Sequence, residues 1–545
     1  MALKHSAMVA AVAILMSGCG GDSSDPAPGN PDTTPGPAKP DAYSVFFTQE
    51  TLSDTVSAAV GDQRPFLSQI EFTNINGTGT PTWLRAKVFA NATMVESFSP
   101  LPTESGTYPL ILFTPPVDTT GQFDAFVMLD VCTDALCENV IAVDSNTQTI
   151  PLEFYGIPGW DSLQGSAAHT GYVPIWATPT NIHSPWSWQR PPHSEPLGAI
   201  NPVAIQGGTL YLSYDIYHGD ASVLAMDTHT GAPRWETELG NIASLSGPAL
   251  DNGQVYVTEV NNEGADLIAL SRDAGEEQFR GLLDAQWPNW LPPTIYDGVV
   301  YQGGGTYGGE IVGFDTTTGN AVFDVTGLGG VWDMYTVAAD ENGVYHSNGG
   351  LLYRLSADAA GSVERTVSMS SPEGSFSGFD APMIIAPNVI GAYAGEASSG
   401  RASGSQEHKT ARHYAAYDIE NETLLWQTDR AYLTHPATRD GVVYIAGNNP
   451  ATLDAIDADN GEVLWSWTIP PEWNDTSFHR NTLVTDNMVL VSTDKQIVGI
   501  GLDSNHGVLF QHNEPGMLAM GDDRVLLLSP GAEESSGSIR ALVGW

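Results

Sequence analysis

The 545-residue sequence predicts an all-β chain, a small β-sandwich followed by an eight-bladed β-propeller. Three observations lead there. Short apolar runs alternate with period two, and helical periodicity is scarce. Turn-forming residues are dense, with 57 glycines and 36 prolines. A glycine-tipped turn also recurs: Gly231, Gly275 and Gly319 are 44 residues apart, and Gly461 and Gly507 are 46 apart. A repeat of that length holds one four-stranded propeller blade.

Composition narrows the function before any motif is read. Hydrophobic residues make up 41% and aromatics 9%, which is the make-up of a folded protein rather than a disordered one. Lys plus Arg total 20 against 64 Asp plus Glu, a formal net charge of −44. A surface this negative repels phosphate backbones and anionic headgroups, so no nucleic-acid partner and no polybasic membrane docking are expected.

The elements follow in order. Residues 1–18 read as a lipoprotein signal peptide: Lys4 supplies positive charge, Ala7 to Met16 is apolar, and Ser17-Gly18 are small. The apolar run is too short to span a bilayer. Met16-Ser17-Gly18-Cys19 resembles the bacterial lipobox, with Met where Leu is usual, and makes Cys19 the expected lipidation site. Gly20 rather than Asp after the cysteine resembles the pattern of outer-membrane delivery. Residues 19–42 hold Pro26, Pro28, Pro31, Pro35, Pro37 and Pro40, and read as a Pro/Gly-rich tether. Extended, it reaches roughly 60–70 Å.

Residues 43–157 read as a sandwich of about seven strands. Phe123, Ala125, Val127, Leu129 and Val131 alternate against the opposite face, as do Leu84, Ala86, Val88 and Ala90. The architecture resembles a bacterial immunoglobulin-like module. Cys132 and Cys137 read as a disulfide clamping a hairpin tip, with free thiols as the alternative. No His lies between Tyr43 and Tyr155, so a zinc site lacks ligands.

From Pro158 to Trp545 the repeats dominate. Asp227 to Gly231, Ser271 to Gly275, Asp315 to Gly319, Asp457 to Gly461 and Asp503 to Gly507 each follow an apolar strand. Trp235, Phe279, Phe323 and Trp465 stand four places past their glycines; a sixth copy has Glu422 at the glycine position and keeps Trp426. A second motif is an apolar residue followed by Tyr, as at Leu210-Tyr211, Val255-Tyr256, Val300-Tyr301, Val344-Tyr345 and Val443-Tyr444. With two units in the Gly319–Gly461 gap and one in the tail, the count reaches eight. These repeats resemble the PQQ-like eight-bladed propeller family, whose signature Ala225-Met-Asp-Thr-His-Thr-Gly-Ala-Pro-Arg-Trp235 matches in full. The lead-in Trp160-Asp-Ser-Leu-Gln-Gly-Ser-Ala-Ala-His-Thr-Gly-Tyr172 is similar to that of secreted members. Read physically, the Asp caps a turn, the glycine takes positive φ and the aromatic packs between blades. The last blade lacks an outer strand, and Trp186-Ser-Trp188 is expected to supply it.

Chemistry is harder to find. Quinone-dependent dehydrogenases of this family hold PQQ and calcium in the central funnel, often under a disulfide of adjacent cysteines. This chain has no Cys-Cys pair and no Cys-x-x-Cys-His. Gly374-Ser-Phe-Ser-Gly378 places Phe at the centre and is no nucleophile elbow. His408 and His413 read as loop histidines rather than a metal pair. No catalytic residue, metal or cofactor is therefore expected, PQQ and calcium belonging only to the alternative of a quinoprotein dehydrogenase.

A lipid-anchored propeller also resembles the non-enzymatic propeller subunit of the outer-membrane β-barrel assembly machinery. That resemblance implies a periplasm-facing scaffold whose partners are outer-membrane or periplasmic proteins, with exposure on the cell surface as a variant. The expected binding mouth gathers Trp290, Trp332, Asp333, Asp380, His435, His479 and Arg480 from segments leading into inner strands. The alternative for its aromatics is packing between blades. The loop from Ser398 adds a basic cluster of Arg401, Lys409 and Arg412.

Overall fold

A computed structural model describes residues 43–545 except 53, 75–81, 102–103, 142, 146, 191–197, 217–218, 262–263, 286–290, 305–308, 330–335, 349, 358–360, 370–380, 395–410, 449 and 530–537. The chain divides into two compact units between Tyr155 and Gly156. Among the described residues no helix is long and apolar enough to cross a membrane. Cys19 and the tether lie outside the described residues.

The first unit is two β-sheets closed on one core. One sheet takes its strands in the order Gly106–Phe113, Pro65–Asn74, Tyr43–Phe47 and Val143–Ser145. The other runs Val56–Ala59, Gln148–Tyr155, Gly121–Cys132, Thr82–Ala90 and Thr93–Leu101, with Val140–Ile141 beside Gly121–Cys132. The alternation read from the sequence places Ala125, Val127, Leu129 and Val131 inside with Leu84, Ala86 and Val88, facing Val45, Ile70, Phe72 and Leu112. The described strands number ten rather than seven. The additional ones are two to four residues long and pair along sheet edges, too short for alternation to reveal them. Cys132 and Cys137 are joined by a disulfide with Cα atoms 5.0 Å apart. It closes the loop whose amides at Leu136, Glu138 and Asn139 donate to the Asp134 carboxylate.

The second unit is a ring of eight antiparallel sheets, blades I to VIII. Their inner strands are Ala204–Gln206, Ala249–Asp251, Thr294–Tyr296, Ala338–Asp340, Met383–Ala386, Ala437–Arg439, Phe478–Val484 and Met517–Met520. The first and last of these touch, which closes the circle. Blade VIII takes its outer strand from the other end of the unit: Ser187, Trp188 and Gln189 pair with Arg540, Ile539 and Ser538. The strand supply expected from Trp186-Ser-Trp188 is what the structure shows.

The repeat motif has a physical account. In blade I the Asp227 carboxylate accepts from the amides of His229 and Thr230 and from the Thr230 hydroxyl, at 2.8–3.2 Å. Gly231 sits at φ +67, and a Cβ there would come within 2.6 Å of the Trp186 ring. Each aromatic thus lies across the glycine turn of the following blade: Trp235 on Gly275, Phe279 on Gly319, Phe323 on Gly361 and Trp426 on Gly461. The indole N–H groups of Trp186, Trp235 and Trp426 each donate to a carbonyl of that same turn at 2.7 Å. The recurrent Tyr packs beneath its own blade's aromatic, as in Tyr211–Trp235 and Tyr444–Trp465, both with centroids 6.1 Å apart.

Two places depart from the rule: in blade VII His506 rather than Gly507 takes positive φ, at +44, and the joint of blades IV and V lacks the ring contact. Blade IV has Arg365 where an aromatic is expected, and blade V has Glu422 in place of glycine, at φ +54. There Arg365 and Arg354 both bind Glu420 on the blade V turn, at 3.1 and 2.7 Å. Ion pairing replaces ring docking at that joint.

Candidate functional site

The centre of the ring is occupied by the chain's own lead-in segment, residues 160–175. Trp160 exchanges two backbone hydrogen bonds of 2.8 Å with Ile205 of blade I. The Asp161 carbonyl then accepts from Leu250 of blade II, and the Ser162 hydroxyl donates to the Pro293 carbonyl beside blade III. Carbonyls of Ala167, Ala168, Thr170 and Gly171 accept from Ala339, Ile384, Thr438 and Val484, the inner strands of blades IV, V, VI and VII, at 2.7–3.0 Å. The segment therefore meets blades I to VII in chain order, six of them at the inner strand. A left-handed pair, Gln164 at φ 52 and Gly165 at φ 82, makes the turn that starts this circuit. Gly165 has no room for a side chain, since a Cβ would lie 2.8 Å from the Trp160 ring.

Two buried side chains of this segment tie the centre together. The Gln164 amide donates to the carbonyls of Pro436 and Thr482 and accepts from Asn481. Asn481 in turn donates to the Leu518 carbonyl and accepts from its N–H, bringing in blade VIII. His169 is buried and its Nδ1 lies 2.9 Å from the Pro382 carbonyl, which fixes the proton on Nδ1. Burial pushes its pKa down to about 4, against the pull of that carbonyl, so the ring is neutral at pH 7. The sequence reading treated this segment only as a likeness. Its signal was present in Gln164, His169 and two glycines placed ahead of the first blade.

Over the segment lies a cavity of about 400 Å³, lined by Gly159, Asp161, Ser162, Thr170, Tyr172 and Asp251 among others. Asp161 accepts from the Gln206 amide at 3.1 Å. Burial raises its carboxyl to about 7; Arg272 opposes the shift, and Asp522 and Asp251 add to it.

The expected mouth lies partly within the described residues. Trp290, Trp332, Asp333, Asp380, Arg401 and Lys409 lie outside the described residues. His435 and Arg480 do come together, the His435 N–H donating to the Arg480 carbonyl at 2.8 Å across the joint of blades VI and VII. His435 is buried rather than set on an open rim, and its pKa is pushed down to about 3 by burial, then by His169 and Arg412. Arg412 opens the strand Arg412–Asp418 instead of lying on a loop surface; it is buried, its guanidinium 4.8 Å from the Tyr393 ring centre. His479 stands apart from these, bonded to Asp494, whose carboxyl burial would raise but His479 holds below the usual range. His413 sits on the same strand as Arg412 and bonds the Thr428 carbonyl; His408 lies outside the described residues.

A planar quinone and its calcium need an open funnel and a cluster of anionic donors. On the lead-in side residues 160–173 run across the funnel, bonded to the inner strands, beneath the cavity of about 400 Å³. Among the described residues no group of three or more His, Cys, Asp or Glu converges as a cation site.

Comparison with known proteins adds a family. In solved structures, a europium-containing methanol dehydrogenase aligns with 71% of this chain and 98% of its own, at 11% identity and a TM-score of 0.41. BamB from Moraxella catarrhalis aligns with 66% of this chain and 99% of its own, at 14% identity and a TM-score of 0.31. A serine/threonine-protein kinase, AfsK of Streptomyces griseus, is 33% identical over 125 residues that cover 21% of this chain and 14% of the kinase. This chain thus spans about one seventh of that relative's length. The model of a PQQ-repeat family, described as outer membrane protein assembly factor BamB, matches residues 175–361 and 411–524. Those two stretches make up more than half of the chain and run from the end of the lead-in segment into blade VIII, so the chain belongs to that family.

Proposed function

We propose that this protein is a lipid-anchored, periplasm-facing scaffold at the outer membrane, which binds outer-membrane or periplasmic proteins through its propeller and acts without catalysis. The observation that carries this reading is the lead-in segment bound across the centre. The lead-in segment spends its backbone carbonyls and the Gln164 and His169 side chains on blade partners, which leaves the rims and outer strands as the surfaces for recognition. Family membership supports the placement at the outer membrane, and the Cys19 lipobox supports the anchor.

Three experiments test it. Photo-crosslinkers placed around the propeller in intact cells are expected to capture defined outer-membrane or periplasmic proteins, and Cys19→Ala is expected to release the protein from the membrane fraction. A quinone-like absorbance band with dye-linked alcohol oxidation after reconstitution with PQQ and calcium would overturn the non-catalytic reading.

A further inference from the structure

The outermost strand of each blade is a sheet edge, with alternate N–H and C=O groups turned to solvent. Folded proteins blunt such edges with charge or by keeping them short. The outer strands of blades I to V are blunted by charge: Arg234, Glu236 and Glu238 in the first, Glu277 and Arg280 in the second, Asp324 in the third, Glu364 and Arg365 in the fourth, Asp429 and Arg430 in the fifth. Blade VIII is blunted by length, with only Ser187–Gln189. Blade VII's edge, Val508–His512, ends beside the Arg540–Glu514 ion pair.

Blade VI is uncharged along its whole outer strand, as blade VII is over Val508–His512 and blade V over Thr423–Thr428, and it alone of these has acidic residues and no basic one at both ends. Its outer strand, Val463–Thr468, reads Val-Leu-Trp-Ser-Trp-Thr and carries no charge over six residues. Val463 and Leu464 are 49% and 52% exposed. The strand is held firmly from one side: Trp465 stacks on His506 at 4.3 Å, and Trp467 packs against Phe478 and Trp473. Its other side presents Leu464, Ser466 and Thr468, all exposed. Acidic residues flank both ends, with Asp459 and Glu462 exposed before it and Glu472 after it. No Lys or Arg occurs anywhere from 441 to 479.

We propose that Val463–Thr468 is a β-augmentation edge, which takes up as a fifth strand an extended segment of a partner protein, uncharged and β-branched at its centre and flanked by Lys or Arg. This rests on the scaffold reading and specifies where and how the partner is held. Main-chain hydrogen bonds to the open edge supply affinity, Leu464 supplies an apolar anchor, and the acidic flanks select basic neighbours.

The test uses the whole protein and a labelled synthetic peptide of alternating Thr and Val between paired lysines. Saturable binding is expected at peptide concentrations up to about 1 mM. Amide exchange in residues 463–468 should slow, with the other outer strands unaffected. Leu464→Lys should weaken binding at least about tenfold. Gln278→Lys on the exposed outer strand of blade II should leave it unchanged. Both sites are exposed, so both variants should melt with the parent.

A peptide flanked by glutamates should not bind. Equal binding of that peptide, equal binding by Leu464→Lys, or absence of protection at 463–468 overturns the proposal. Concentration-dependent dimers that Leu464→Lys abolishes would assign the edge to a second copy of this chain and also overturn it. In cells, a crosslinker at Leu464 that captures nothing while others on the propeller succeed removes this edge and leaves the scaffold reading standing. Silence from every position removes both.

Discussion

At the scale of single residues, the fold tolerates two positions that pure stability would not choose. Glu422 holds φ +54 where blades I to IV and VI use glycine; blade VII uses His506 there, at φ +44. A side chain in that region costs on the order of 1 kcal/mol, part of which the freer unfolded glycine would give back. Glu422→Gly is therefore expected to stabilise the propeller by about 0.5–1 kcal/mol in denaturant unfolding. Asp161 is the second. Its folded pKa, about 7, stands above the value of 3.8 for a free aspartate, so the folded state holds its proton more tightly than the unfolded one. The resulting penalty is absent below the unfolded pKa, grows between about pH 4 and pH 7, and is complete above. Asp161→Asn should thus match the parent near pH 4 and exceed it by about 2 kcal/mol at pH 8, a figure reduced for partial exposure. Unfolding curves at the two pH values decide it. An equal gain at both would mean that the charge is not the cause.

At the scale of elements, short-range features act as clamps. The Cys132–Cys137 bridge closes a small loop at the end of the long strand Gly121–Cys132, so its stabilisation is modest. Replacing both cysteines with serine should lower the unfolding free energy of the sandwich by about 2 kcal/mol and leave the propeller's transition in place. Calorimetry with two resolved transitions would show this directly. The buried histidines act in the opposite sense from Asp161. His169, His346 and His435 have folded pKa values of about 4, 3 and 3, each lowered first by burial, against 6.5 when unfolded. The unfolded state then binds more protons below about pH 6.5, and propeller stability should fall from there towards pH 4. His346→Gln should flatten that slope in a pH series of melting curves. An unchanged slope would place the acid sensitivity elsewhere.

At the scale of the whole molecule, the ring is one cooperative body because its last sheet is made from both ends of the unit. Removing residues 540–545 deletes the central partner of blade VIII, including the fully buried Ala541 and Leu542, and opens two sheet edges. The loss should be at least about 3 kcal/mol, from one buried leucine and the broken pairing together. Melting of the truncated protein checks this, with exchange protection expected to fall in every blade rather than in blade VIII alone.

Repetition made the architecture legible. Asp-capped turns, glycines at positive φ and aromatics four residues on are local devices, each readable from a few neighbouring residues, and their period sets the blade count. The missing outer strand of the last blade could be inferred for the same reason: a gap in a repeat is visible. Three things depended on tertiary structure. Sequence alone placed His435 and Arg412 on a rim and a loop, whereas both are buried, because the burial of a residue at a joint is set by the neighbouring blade and the central segment. The short edge strands of the sandwich carry too few residues to show a period. The passage of residues 160–175 across the channel joins positions up to 318 residues apart, such as Gln164 and Thr482, and local pattern holds no trace of a contact made only when the ring closes.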